Sequence, residues 1–209
     1  MPRATPNADD LPGFLHDLAQ VEHQFWSLLE RGARDRRSPY HAPSVATITP
    51  DGPQVRTITL RHADRAGAIV RFNADVRGGL VGQLLADPRA MLHAYGAAER
   101  TQLRLATRAL IHRDDAVSLA AWQATTASAK RCYLVPPPGS PVAAPSSGLP
   151  TALERRAPSV EESACGYALF CVVELAIEQI EWLYLHSVHK RRARFVRDAA
   201  GWRGQWLTP

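Results

Sequence analysis

Hydrophobic positions change their period along this chain. From Leu11 onward, Phe14, Leu15, Leu18, Val21, Phe25, Leu28 and Leu29 recur every three or four residues, which places them on one stripe of an amphipathic helix. Asp9 and Asp10 stand at its positive end and Gly32 is its expected stop. The stripe predicts core packing. A basic linker over 31–37 and a loop over 38–43 follow. The texture then becomes β-branched runs broken by Pro, Gly, Asn and Asp, which predicts antiparallel strands. Strands are expected over 44–49, 55–61, 68–72, 91–95 and 101–112, the first two forming a hairpin around Pro50-Asp51-Gly52-Pro53. In the longest of them Leu103, Leu105, Thr107, Ala109 and Ile111 alternate with Gln102, Arg104, Ala106 and Arg108. One of its faces is therefore core, and the other is polar and free to line a site.

Between and beyond these strands the pattern predicts two short helices. One runs over 77–86 with Leu80, Leu84 and Leu85 on one face, closed by Asp87-Pro88. The other starts at Asp114 and Asp115 and carries Val117, Leu119, Ala120 and Trp122. Periodicity is lost after Thr126. Pro136, Pro137, Pro138, Pro141, Pro145 and Pro150 lie in a Ser/Ala/Gly-rich stretch that predicts a long surface loop over about 134–158, open to ordering by a partner subunit. Strands return over 167–176 and 179–185 and around Phe195, with a turn at Gly201. Trp202, Trp206 and Leu207 are too apolar for a free tail, so a docked C-terminus is expected. The chain divides into an arm and helix over 1–37, of which 1–8 read as loose, and a β domain over 38–209.

At 209 residues, with 45% hydrophobic and 22% charged positions, the chain is long enough to bury its own core. Cys132, Cys165 and Cys171 are odd in number and lack metal-ligand spacing, which argues against a disulfide framework or zinc site and for a reducing compartment. His112, His186 and His189 fit no metal-hydrolase spacing either. No apolar run reaches the ~18 to 20 residues that span a bilayer, and no signal pattern opens the chain. A cytoplasmic protein without a membrane partner is expected. A net charge of +5 points to an anionic partner, either a nucleic acid or a small phosphorylated ligand, and arginines spread along the chain favour the smaller one.

Two arginines stand out. Val55-Arg56-Thr57-Ile58-Thr59-Leu60-Arg61 could be wholly apolar and instead carries two guanidiniums, the side chain suited to bidentate capture of phosphate or carboxylate. A solvated strand face is the alternative. The basic run 186–197, close to Trp182, Tyr184 and Trp202, is likewise open to reading as a single-stranded nucleic-acid patch, a solvated face or a phosphate site.

The order of several short motifs narrows these choices. Arg56 to Arg61, then Phe72-Asn73-Ala74-Asp75-Val76-Arg77, Asp87-Pro88-Arg89 and Gln102-Leu103-Arg104-Leu105 together resemble the pyridoxamine 5′-phosphate oxidase family. Ile180-Glu181-Trp182, Lys190-Arg191-Arg192-Ala193-Arg194-Phe195 and the Trp-to-Pro ending resemble its closing segment. The likeness covers roughly 38–209 apart from the Pro-rich loop. It implies a mainly β (α+β) fold, a split β-barrel of about six to seven antiparallel strands with peripheral helices, forming a homodimer with flavin mononucleotide (FMN) at the subunit interface. By the same resemblance Arg56, Thr57, Ile58 and Thr59 contact the FMN phosphate and ring. Ala74, Arg77 and Gly78 lie at the phosphate end, Gln102 bonds the flavin ring, and Tyr184 and Arg194 close the site from the partner subunit. Arg61, Lys190 and Arg192 face a small-molecule substrate. The implied activity is transfer of a hydride from that substrate to flavin, so the cofactor carries the chemistry and no catalytic residue set is expected.

Two departures qualify the resemblance. Gly78, Gly79 and Leu80 stand where the family usually has a serine and a lysine on the phosphate, although backbone N–H groups at a helix start can partly replace them. Trp122, Thr126 and Lys130 stand where the vitamin B6 oxidases hold the substrate phosphate with Tyr, Arg and Ser, so oxidation of a B6 phosphate does not follow. A non-catalytic flavin- or haem-binding split barrel is the alternative function, and a basic nucleic-acid-binding module the third.

Overall fold

The computed structural model describes residues 12–209, so the expected arm, Asp9, Asp10 and Leu11 lie outside the described residues. Helix α1, Leu18–Arg34, begins later than its stripe because Asp17 caps it, its carboxylate accepting from the N–H groups of Ala19 and Gln20 at 2.8 and 3.2 Å. Ahead of the cap, Gly13–His16 form a 3₁₀ turn that buries Leu15. Gly32 does not stop the helix; its flat surface lets the helix press on Tyr40, whose carbonyl oxygen would lie 2.5 Å from an added Cβ. Val21, Phe25, Leu28 and Leu29 enter the main core, as the stripe predicts, and Trp26, outside the stripe, joins them.

Nine antiparallel strands form one sheet, against the six or seven expected. They are β1 Ser44–Thr49, β2 Gly52–Thr57, β3 Leu60–Asp64, β4 Ile69–Asp75, β5 Arg89–Gly96, β6 Thr101–His112, β7 Phe170–Tyr184, β8 Arg191–Asp198 and β9 Gly201–Leu207. Their order is β2-β1-β5-β6-β7-β4-β3. Along one edge β7 pairs with β6; along the other it pairs first with β4 and then with β8, which carries β9. The two ends of the path, β2 and β3, are separated by only Ile58 and Thr59. The sheet must therefore curl until its outer strands almost meet, without closing.

That crossing corrects the reading of 55–61 as one strand. The Ile58 N–H donates to Pro43 O at 2.9 Å instead of to a neighbouring strand, and the chain changes edges there. The strands expected over 167–176 and 179–185 are one, interrupted by a bulge where Ile177 and Gln179 oppose the consecutive residues Thr107 and Ala106. Gly201, at φ +118°, makes the turn into β9, and Trp202 packs on the main core, so the C-terminal segment is docked as expected.

The helices α2, Gly79–Ala86, and α3, Ala116–Ala124, fall where periodicity put them, with Asp115 and not Asp114 capping α3. Three short helices were not expected: α4 Ala127–Lys130, α5 Thr151–Glu154 and α6 Val160–Ala164. α5 lies inside the Pro-rich stretch and buries Leu153, and the Arg131 guanidinium donates to the carbonyls of Leu153 and Glu154. Trp122, Tyr133, Phe170 and Val172 make a second, smaller core. Among the described residues no helix is long and apolar enough to cross a membrane.

Candidate functional site

Arg56 lies near the end of edge strand β2, opposite Val45 of β1. Its guanidinium reaches α2, where it donates to the side-chain oxygen of Gln83 at 2.9 Å, and the Thr47 hydroxyl donates to the same oxygen at 2.7 Å. Gln83 is uncharged. Arg56 forms no ion pair among the described residues, so its charge faces outward uncompensated.

It faces a cleft of about 450 Å³ at the crossing of the sheet's two edges. Arg56, Thr57, Ile58, Thr59 and Arg61 form one wall, and Phe72, Asn73, Ala74 and Asp75 of β4 another. Gly78 and Leu80 contribute the start of α2, while Cys132, Tyr133 and Pro138 close the side. Of the α2 N–H groups, those of Gly79 and Leu80 precede the first possible intrahelical partner, and no side chain caps them. The cleft thus combines an uncompensated guanidinium, an open helix start and an apolar surface from Ile58 and Leu80, with buried Phe72 behind it. Asp75 adds little negative charge, because Arg77 grips both its carboxylate oxygens at 3.0 and 2.7 Å. That bond raises the Arg77 pKa above its ordinary value, and burial pushes the Tyr133 phenol well above its own.

Of the residues assigned by resemblance, Arg56, Thr57, Ile58, Thr59, Ala74, Gly78 and Arg61 come together here. Arg77 turns away to Asp75 and to Val135 O, at 3.1 Å, in the Pro-rich stretch. Gln102, Tyr184 and Arg194 lie elsewhere in the same chain. Gln102 is half-buried on β6, and Arg194 is paired in register with Glu181. Tyr184 is buried between the rings of Trp182 and His186. Lys190 and Arg192 line a different cleft of about 330 Å³ with His16 and Trp206, and Arg192 is bound to Glu181 at 2.7 Å. His186 and His189 stack at 5.8 Å, and among the described residues no three His, Cys, Asp or Glu side chains are grouped to hold a metal.

Sequence reasoning missed Gln83, Phe72, Cys132, Tyr133 and Pro138 as parts of the site. It also missed a neighbouring cleft of about 630 Å³, which shares Arg61, Asn73, Thr125 and Ala129 with the first. One wall is α3, through Ala116, Ala120, Ala121 and Ala124, and the other carries Arg36, Arg61, His62 and Arg71. Trp122 points away into the second core, with the Lys130 ammonium 4.6 Å above its ring.

Comparison with known protein families found no match, and comparison with curated proteins found none. Solved structures do match. A pyridoxamine 5′-phosphate oxidase-related, FMN-binding protein from Nostoc punctiforme superposes with a TM-score of 0.68 at 23% identity, over 96% of this chain and 100% of that one. PhzG from Burkholderia lata 383, solved with tetrahydrophenazine-1-carboxylic acid, gives a TM-score of 0.65 at 17% identity, over 98% and 100%. The curled nine-stranded sheet with its edge-crossing cleft is the split-barrel fold of the pyridoxamine 5′-phosphate oxidase-related proteins.

Proposed function

We propose that the Arg56 cleft binds FMN and that the protein is an FMN-dependent oxidoreductase acting on a small organic substrate. The observation that carries this reading is the Arg56 guanidinium, tethered by neutral Gln83 beside the open start of α2. A phosphate of ~1.5 to 2 negative charges suits that donor set, and each charge-assisted hydrogen bond to it contributes ~1.5 to 3 kcal/mol. The N–H groups of Gly79 and Leu80 take the place of the missing serine and lysine. Thr57 and Thr59 offer hydroxyls, while Leu80 and the edge of Ile58 offer an apolar surface to a flat ring, backed by buried Phe72. When bound, FMN supplies a two-electron acceptor. The likeness to an FMN-binding protein supports the reading through the fold.

We infer that the protein works as a homodimer. Gln102, Tyr184, Arg194, Lys190 and Arg192 lie outside the Arg56 cleft of their own chain, so they reach a flavin only across a subunit interface. The test is an absorbance spectrum of the protein after addition of FMN and desalting. Retained flavin bands, bleached by an organic donor and restored in air, support the reading; a colourless protein overturns it. Mixing Arg56→Gln with Arg194→Gln protomers is expected to restore part of the FMN capacity that each variant lacks alone, which only a shared site allows.

A further inference from the structure

The 630 Å³ cleft beside the flavin site has two unlike walls. On α3, Ala116, Ala120 and Ala124 stand one turn apart and, with Ala121, form a smooth apolar surface. This wall offers almost no donor. The Thr125 hydroxyl is spent on Ala121 O at 2.8 Å, and the Thr126 side chain caps α4. Trp122 and Lys130, which occupy about the positions of phosphate-holding residues in the B6 oxidases, are engaged with each other.

The facing wall is cationic. Arg71 is neutralised by Glu174, its Nε and a terminal nitrogen lying 2.7 and 2.6 Å from one carboxylate oxygen. Arg36 and Arg61 have no such partner: neither forms an ion pair or a side-chain hydrogen bond among the described residues, and no carboxylate lines the cleft. Arg61 belongs to both clefts, whereas Arg36, from the turn after α1, belongs to this one alone.

We infer that this second cleft takes a flat, apolar carboxylic acid, its ring against the alanines of α3 and its carboxylate held by Arg36 and Arg61. A guanidinium fork matches the two coplanar oxygens of a carboxylate. A phosphate monoester, with three terminal oxygens pointing apart, needs donors on several sides, and the alanine wall supplies none. The cleft volume is in the range that encloses a small organic ligand. Arg36 then sets specificity, and Arg61 fixes the acid at the border with the flavin cleft. The cleft adjoins the flavin site of that reading, but binding of the acid stands without it.

The test is calorimetric titration of the full chain, wild type and Arg36→Gln, with 2-naphthoate, 2-naphthyl phosphate and the neutral 2-naphthylmethanol. FMN retention is measured on the same preparations. Arg36 is exposed in a turn, so the substitution leaves the core untouched. Naphthoate is expected to bind the wild type and to lose about tenfold in affinity in Arg36→Gln, equivalent to ~1.4 kcal/mol. The phosphate is expected to bind no tighter than the carboxylate, and the alcohol to bind weakly and equally to both proteins. Failure of naphthoate to bind, equal affinity in the variant, or a phosphate bound tenfold tighter would each overturn the inference. Naphthoate binding without FMN retention would sink the flavin reading and leave this one standing; FMN retention without naphthoate binding would do the reverse.

Discussion

The Arg56 guanidinium is held by the side-chain oxygen of Gln83, at 2.9 Å, and not by a carboxylate. An amide orients the arginine and leaves its charge available to a ligand. Gln83→Glu keeps the shape and both acceptor contacts, from Arg56 and from Thr47, but neutralises the guanidinium. It is expected to weaken FMN binding about tenfold, ~1.4 kcal/mol, with the melting temperature unchanged. Fluorescence titration measures this, and an unchanged affinity would separate Arg56 from the phosphate.

Gly32 shows how the first helix is fixed to the barrel. Tyr40, fully buried, donates its hydroxyl to Thr101 O at 2.8 Å, and that burial raises its pKa well above the ordinary value. The Tyr40 backbone therefore cannot yield to a methyl group on Gly32. Gly32→Ala gains up to ~1 kcal/mol of helix propensity but forces an overpacking cost of ~1 to 3 kcal/mol. Net destabilisation of about 1 kcal/mol is expected by urea unfolding; a stabilised variant would refute the close approach.

Asp115 links pH to the wall of the second cleft. The Ser118 backbone N–H, then the His112 ring and the Ser118 hydroxyl, hold its carboxyl down at about 2, below the usual carboxylate range. A depressed carboxylate stabilises the fold above its unfolded pKa, near ~4, and that contribution is lost as pH falls through the folded value. Asp115→Ala should cost about 1 kcal/mol at neutral pH, the ordinary worth of a helix cap. The gap between variant and wild type should narrow from pH 4 towards pH 2, which unfolding curves at the two ends would reveal.

The three thiols provide a footprint of the site. Cys132 and Cys165 are exposed, whereas Cys171 is buried and its thiol is pushed up to about 11, chiefly by that burial. A thiol reagent at pH 8 should therefore modify Cys132 and Cys165 in the native protein and reach Cys171 only after unfolding. Cys132 lines the Arg56 cleft and Cys165 does not. FMN should slow labelling at Cys132 alone; equal protection of both would place the flavin elsewhere.

Much of this fold was legible because one-sided burial imposes a period. Leu103, Leu105 and Thr107 of β6 face inward, and the apolar stripe of α1 enters the core, as their spacing requires. The break at Ile58-Thr59 was not legible, since a β-branched run looks the same whether it stays in one strand or crosses between two edges. The bulge at Glu178 misled in the opposite sense, its extra residue making one strand look like two. Within the site, the arginines of β2 and β3 stood out because charge is unusual in such a run. Gln83 did not, since a polar residue on a short helix is ordinary until its neighbour is known. The alanines of α3 carry no chemistry of their own, and Arg36 passed for part of the basic linker. Asp75 and Arg77 are two residues apart, yet their mutual grip depends on a turn geometry that spacing alone does not determine.

The affinities of wild type and Arg56→Gln for FMN and for riboflavin, which lacks the phosphate, decide whether Arg56 holds the flavin's phosphate. Wild type is expected to retain FMN, Arg56→Gln to lose at least about tenfold in FMN affinity, and riboflavin to bind both proteins equally and more weakly. Equal FMN affinity in the two proteins, or an equal loss for FMN and riboflavin, would contradict this expectation by removing Arg56 from the phosphate.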